Sequence, residues 1–255
     1  MKSKVTFILI CFVCLAAAGC SGSGQYKWEV HDMNRPVPDI VTAGKEAGSA
    51  PSNAIILFDG RDISKWELKK NGKAAKWKVE NGYMEVAKKA GDIRTKQKFG
   101  DCQLHIEWAA PIKVKDKSQG RGNSGVFLMG LYEVQVLDSF NNRTYADGQA
   151  GALYGQSPPL YNVCRGPGKW QSYDIIFRRP RFAKNGSITK AGRVTVLHNG
   201  IIIQDSVELL GPTEHKKRAK YKQHADKLPI ILQDHGNKVR YRNIWLIELS
   251  EEQGQ

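Results

Sequence analysis

Twice the chain sets an Asn-Gly pair between runs that alternate apolar with polar residues, the strongest short-range signature of a β-hairpin. In AKWKVENGYMEV, Asn81-Gly82 supplies the two positive-φ residues of a two-residue turn. It sets Val79 opposite Met84 and Trp77 opposite Val86 on one face, with Lys78 against Glu85 on the other. RVTVLHNGIIIQ repeats the device at Asn199-Gly200 and predicts Val194, Val196, Ile201 and Ile203 on a common face. DCQLHIEWA (101–109), SGVFLMG (124–130), LYEVQVLD (131–138), WQSYDIIFR (170–178), LPIILQ (228–233) and VRYRNIWLIEL (239–249) carry the same period of two. About ten short strands and no long amphipathic helix imply an all-β fold, a two-sheet antiparallel β-sandwich or jelly roll.

The N-terminus reads differently. Lys2 and Lys4 precede the apolar run VTFILICFVCLAAA and then Gly19-Cys20, the order of zones in a secretory signal. Ala17-Ala18-Gly19-Cys20 resembles a bacterial lipobox, which would make Cys20 the lipidated first residue of an exported lipoprotein held at the membrane by its lipid anchor. Ser21, in place of Asp, favours the outer membrane, with the domain facing the periplasm or the cell surface. Residues 1–19 are then the signal, 20–54 a tether and extended arm, and 55–250 the β-sandwich domain. YKWEVHDMNRPVPDIV, inside the arm, is apolar and aromatic enough to pack on that domain.

A formal charge of +14 raises the question of nucleic acid. The lysines and arginines are scattered, however, and no helix-turn-helix, zinc-finger or RNA-binding signature accompanies them, so a nucleic-acid partner is not expected. The densest run, HKKRAKYK at 215–222, reads as a solvated loop. Beyond the signal and Cys20 only Cys102 and Cys164 remain; export permits a disulfide between them, and two separate buried thiols fit equally well.

Candidate chemistry concentrates on polar strand positions. Glu133 and Gln135 alternate with Val134 and Val136, while Gln103, His105 and Glu107 alternate with Leu104, Ile106 and Trp108. Asp138, five residues after Glu133, would join it only if a bulge near Leu137 reset the phase. The spacing resembles the E-x-D-x-x-E strand of laminarinase-type glycosidases, with Gln135 replacing the middle acid and Asp138 the last. Asp234 and His235 lie in a turn before a strand carrying Arg240 and Arg242, where an imidazole beside a carboxylate suits a base or a metal ligand. In RGNSG (121–125) Asn123 offers a donor and an acceptor suited to sugar hydroxyls. Tyr154, Tyr161 and Trp170, in the Gly/Pro-rich loop 152–170, suit a rim for stacking sugar rings or an anchor for the loop. Glu133, Asp138, His105 and His235 could donate to one divalent cation, although their spacing is no metal signature. Walker, Rossmann, HExxH, CxxC and GxSxG motifs are absent, which leaves phosphate, dinucleotide, zinc-protease and serine-hydrolase chemistry without support.

Taken in order, HDMNRPVP, ILFDGRDISKWE, GNSGVFLMGLYEVQVLDS, GALYG, PGKWQSYDIIF and LPIILQDHGNKVRYRNIWL resemble the 3-keto-disaccharide hydrolase family, a concanavalin-like jelly roll, over residues 31–249. The resemblance implies extracytoplasmic cleavage of glycosides whose glucose ring a partner dehydrogenase has first oxidised at C3. A C3 ketone acidifies the hydrogen on C2, so a base can remove it, the enolate can expel the glycosidic oxygen from C1, and water can add afterwards. On that reading Glu133 or His235 is the base, and Arg240, His105 or a bound cation polarises the ketone. Gln135, Asn123 and Asp138 orient the ring, with Glu107, Tyr154 and Trp170 as further substrate contacts. Two alternatives stay open at this level: a non-catalytic carbohydrate-binding lipoprotein and an ordinary glycoside hydrolase.

Overall fold

The structure, a computed structural model, describes residues 33, 37–87 and 89–251. Two compact units divide the chain, Met1–Ile40 and Val41–Gln255, and every strand belongs to the second. The signal segment, Cys20 and most of the 26–41 stretch lie outside the described residues.

Among the described residues there is no α-helix, and two antiparallel sheets pack face to face. The larger sheet runs, in spatial order, Ile201–Glu208, Arg193–His198, Gln171–Arg178, Cys102–Ala109, Arg240–Glu248, Tyr83–Glu85 and Lys78–Glu80, and Ile55–Phe58 pairs with Arg240–Glu248 as well. Trp66–Leu68, Ile93–Thr95, Ile231–Leu232, Ser124–Leu128 and Tyr132–Val136 make the smaller sheet. This is the sandwich that the alternation implied, with more and shorter strands than the sequence suggested.

The hairpin at Asn81-Gly82 forms with both turn residues at positive φ, and it pairs Val79 with Met84 and Lys78 with Glu85. At Asn199-Gly200 the turn also forms, but the expected common face is broken. The register shifts after Leu197↔Ile202, so that Val196 faces Gln204. Ile203 and Gln204 are both buried, two residues set against Val196 as a bulge does, while Ile201, still paired with His198 beside the turn, stays 47% exposed.

Between the sheets lies one apolar core, with Leu104, Ile106, Trp108, Tyr173, Ile175, Phe177 and Tyr241 from the larger sheet meeting Val126, Leu128, Val134 and Val136 from the smaller. Cys102 and Cys164 are both buried free thiols. Two of the core tyrosines reach across the gap. The Tyr173 hydroxyl donates to the Gln135 carbonyl at 2.8 Å, and the Tyr241 hydroxyl donates to Ser124 Oγ at 2.7 Å, which in turn donates to the Gln233 carbonyl at 2.6 Å. A buried hydroxyl left unpaired would cost about 1–3 kcal/mol, so these bonds fix the backbone of Gln135 and Gln233 from behind. Both residues turn their side chains to the opposite, outer side of the smaller sheet.

Candidate functional site

Since Val134 and Val136 point into the core, the period of two turns Glu133 and Gln135 onto the outer face of the smaller sheet. There they line a cavity of about 160 Å³ together with Asn123, Phe127, Tyr154, Thr213, His215, Gln233 and His235. That volume holds several waters at about 30 Å³ each and falls short of the roughly 300–1,000 Å³ of drug-sized sites, so it suits one small polar ring.

Glu133 sits at its base, 6% exposed. Its backbone is pinned on both sides, the amide donating to Thr213 Oγ1 at 3.0 Å and the carbonyl accepting from the Tyr154 amide at 3.3 Å. The carboxyl itself has no hydrogen-bond partner among the described residues; burial, reinforced by the charge of Asp92, pushes it up to about 8. Such a carboxyl exchanges a proton near neutral pH, where an ordinary one is fully ionised.

Gln135, 1% exposed, belongs to a carboxamide chain. Its Nε2 donates to Gln119 Oε1 at 2.9 Å, and Gln119 Nε2 donates to the Gly148 carbonyl at 2.9 Å and to Thr144 Oγ1 at 2.8 Å. Asn123 Nδ2 donates to the Gln119 carbonyl at 2.7 Å. Gln135 Oε1 and Gln233 Oε1 are buried with no partner.

The rim is made by loops. Tyr154 shares a hydroxyl–hydroxyl bond of 2.7 Å with Tyr145 and stands 3.5 Å from His215 Nδ1. His235 is exposed in a turn organised by Asp234, whose carboxylate accepts from the Gly236 and Gly91 amides, each at 2.9 Å. The Asp234 amide donates at 3.0 Å to Asp92 Oδ1, so the aspartate that acts on Glu133 also seats the histidine turn.

The structure therefore brings together Glu133, Gln135, Asn123, Tyr154 and His235, and it separates five other candidates. Asp138 does not join them. It is 2% exposed and ion-paired with Arg121 Nε at 2.7 Å, in a different cavity with Gly122 and Asn237, because no bulge at Leu137 turns it back. His105 and Glu107 project from the outer face of the larger sheet, across the core from Glu133. The 460 Å³ cavity they line with Trp170 is a separate one. His105 Nδ1 meets Asp174 at 2.6 Å, while Glu107 accepts from Arg242 Nε at 2.6 Å and Asn243 Nδ2 at 2.8 Å, so these groups satisfy one another. Arg240 lies 5.3 Å from the ring centres of both Tyr83 and Trp170 and donates to the Gly168 carbonyl at 3.1 Å, away from Glu133. Trp170 also carries Arg242 over its ring at 4.2 Å, the arrangement of a loop anchor.

Sequence reasoning passed over Thr213, His215, Gln119 and Gln233. His215 opens the basic run read as a solvated loop, and Gln233 ends the alternating LPIILQ stretch, where the period of two turns it outward two residues before His235. Among the described residues no three His, Cys, Asp or Glu side chains group closely enough to hold a metal ion.

Comparison with known proteins places this geometry in context. Residues 53–247 match the family model described as the 3-keto-alpha-glucoside-1,2-lyase-like domain. A crystal structure from Parabacteroides distasonis, named a "putative glycosyl hydrolase", is 50% identical with a TM-score of 0.82, over 86% of this chain and 95% of that one. A second structure of the same name and organism is 20% identical with a TM-score of 0.58, over 78% and 94%, and shares the fold. The search of curated proteins found no match.

Proposed function

The chain belongs to the family of 3-keto-alpha-glucoside-1,2-lyase-like domains, and from that premise we propose that it breaks the glycosidic bond of sugars whose glucose ring carries a ketone at C3. The observation that carries the proposal is Glu133, a buried carboxyl without a hydrogen-bond partner, raised to about 8, at the base of a ring-sized cavity. Removing a hydrogen from carbon beside a ketone is easier for a stronger base, and burial makes Glu133 more basic than an ordinary carboxylate.

In the proposed reaction Glu133 takes the C2 proton, the C2–H electrons delocalise into the C3 ketone as an enolate, and the enolate collapses to a C1=C2 double bond as the C1–O bond breaks. The departing oxygen picks up a proton, which His235, His215 or the Tyr154 hydroxyl at the rim can deliver. Water then adds across C1=C2 and restores the 3-keto sugar. Retaining hydrolysis of an unoxidised glucoside would instead need two carboxyls about 5–5.5 Å apart. Among the described residues Glu133 is the one carboxyl lining this cavity, which favours elimination.

The remaining expectations belong to the same proposal. An upstream sugar 3-dehydrogenase supplies the ketone, and lipidation at Cys20 holds the enzyme on the outer membrane, where it meets exogenous glycosides. The test is a chromogenic 3-keto-glucoside beside its unoxidised parent: release from the first alone, lost in Glu133→Gln, supports elimination. Equal release from both would replace it with ordinary hydrolysis, and saturable binding without release would make the protein a sugar-binding module.

A further inference from the structure

The carboxamides around Glu133 have an orientation that can be worked out from a backbone carbonyl. The Gly148 C=O can only accept, so the end of Gln119 facing it must be the NH₂ group, 2.9 Å away, and Gln119 Oε1 must then face Gln135. An oxygen at that point obliges Gln135 to present its own NH₂, at 2.9 Å, which turns Gln135 Oε1 the other way. The Gln119 carbonyl orients Asn123 by the same logic, taking its NH₂ at 2.7 Å. Three amides are thus locked in sequence by atoms that cannot reverse roles. Gln135 is left with an acceptor, Oε1, buried and unpartnered among the described residues in the lining of the cavity. A buried acceptor without a partner is costly, and one that lines a cavity is open to a donor brought by a ligand.

We infer that Gln135 Oε1 is the specificity-determining acceptor for a ring hydroxyl of the substrate, and that Gln119 is the positioning residue that holds it in that sense. This rests on the proposed function and sharpens it. A hydroxyl satisfies the acceptor, whereas a ketone, a carboxylate or a missing oxygen leaves it unpaired. The ring must therefore enter with a hydroxyl on Gln135 and with its ketone turned towards the donors of the rim. The site takes a neutral hydroxylated ring and rejects one bearing a carboxylate at that position. Sites built to hydrogen-bond a hydroxyl reject analogues that lack it by far more than apolar pockets reject a changed methylene.

The test uses the full chain carrying Glu133→Gln, so that binding is read without turnover. Calorimetric Kd values are measured for methyl 3-keto-glucoside and for its 2-deoxy, 4-deoxy and 6-deoxy forms. One deoxy position is expected to weaken binding about tenfold or more, with the others near the parent. Adding Gln135→Met should weaken the parent and erase the penalty at that same position, a coupling that a merely structural role would not produce. Gln119→Leu, which removes the acceptor facing Gln135, and Gln119→Glu, which sets a second oxygen against the Gly148 carbonyl, should both blunt the selectivity in the same direction. Equal losses at every position, or a penalty unchanged by Gln135→Met, overturn the assignment. So does binding abolished by EDTA and restored by Mn²⁺, which would make the carboxamide oxygens cation ligands. If Gln135→Met fails to fold, the deoxy series with Gln135 intact together with the Gln119 pair decides. Failure of the parent chain to cleave any 3-keto-glucoside would count against the reaction and leave the binding pattern to be judged separately.

Discussion

The carboxyl of Glu133 occupies the space that a Cβ on Gly125 would fill. Gly125 stands two residues before Phe127, the direct cross-strand partner of Glu133, and its backbone is not left-handed, so what it provides is room. The acid lies down on its own sheet because one neighbour has no side chain. Gly125→Ala is therefore expected to lift the carboxyl off its seat, lowering kcat/KM by tenfold or more while costing about 1–3 kcal/mol, the usual range for overpacking. Steady-state kinetics beside a denaturant titration check both halves.

Burial of Glu133 also sets a pH dependence. Its pKa in the folded protein, about 8, lies above the ordinary 4.5, so the folded state holds the proton across the interval between them. Stability relative to a permanently neutral side chain is kept below about 4.5 and declines as pH rises through 8. Glu133→Gln should consequently raise Tm by several degrees at pH 9 and hardly at all at pH 4, while kcat/KM of the unaltered chain climbs with pH through a single titration near 8. A flat difference in Tm would mean that the carboxyl is ionised in the folded state.

The opposite face makes the reverse prediction. Burial pulls His105 down, but its hydrogen bonds to Asp174 and Glu107 outweigh this and hold the imidazole up at about 9. A raised folded pKa places this stabilisation in full below about 6.5 and removes it as pH rises through 9. Asp174→Asn should cost about 1.5–3 kcal/mol below pH 6.5, the worth of a hydrogen bond to a charged group, and progressively less as pH rises from there to 9. Cleavage should stay within about twofold, as expected of sites that share no partner. Urea unfolding at several pH values with a parallel activity assay tests the separation.

Asp138 receives a structural role. Asp138→Asn strips the charge partner from Arg121 and should destabilise the chain by about 3 kcal/mol, as breaking buried ion pairs does. The pH profile of kcat/KM should keep its midpoint, because Asp138 does not line the Glu133 cavity. A moved midpoint, read from rates at a series of pH values, would put Asp138 back among the reacting groups.

Local chemistry explains why some of this was legible in the chain and some was not. Asn81-Gly82 and Asn199-Gly200 dictate their turns within a few residues, so both hairpins could be read directly. The burial of Gln204 opposite Val196 escaped the sequence because a bulge has no fixed sequence signal, and one extra residue changes what faces in beyond it. Alternation also told that Glu133 and His105 both turn away from the core, but a sandwich has two outer faces. Which sheet each strand joins depends on pairings such as Leu232↔Val126 and Trp245↔His105, each across more than a hundred residues. Gln119 eluded sequence reasoning for a related reason: its importance comes from the Gly148 carbonyl that orients it, and a backbone acceptor leaves no mark on composition.

Gly48 offers a last consequence. Its carbonyl accepts from Asn243 Nδ2 at 2.7 Å and from Trp245 Nε1 at 2.9 Å, which staples the segment leading into the first strand onto the back of the larger sheet. The polypeptide thus enters the sandwich from the side remote from the Glu133 opening. The staple and the Glu133 opening therefore share no side chain, and Asn243 or Trp245 can be altered to loosen the entry segment without reshaping the cavity.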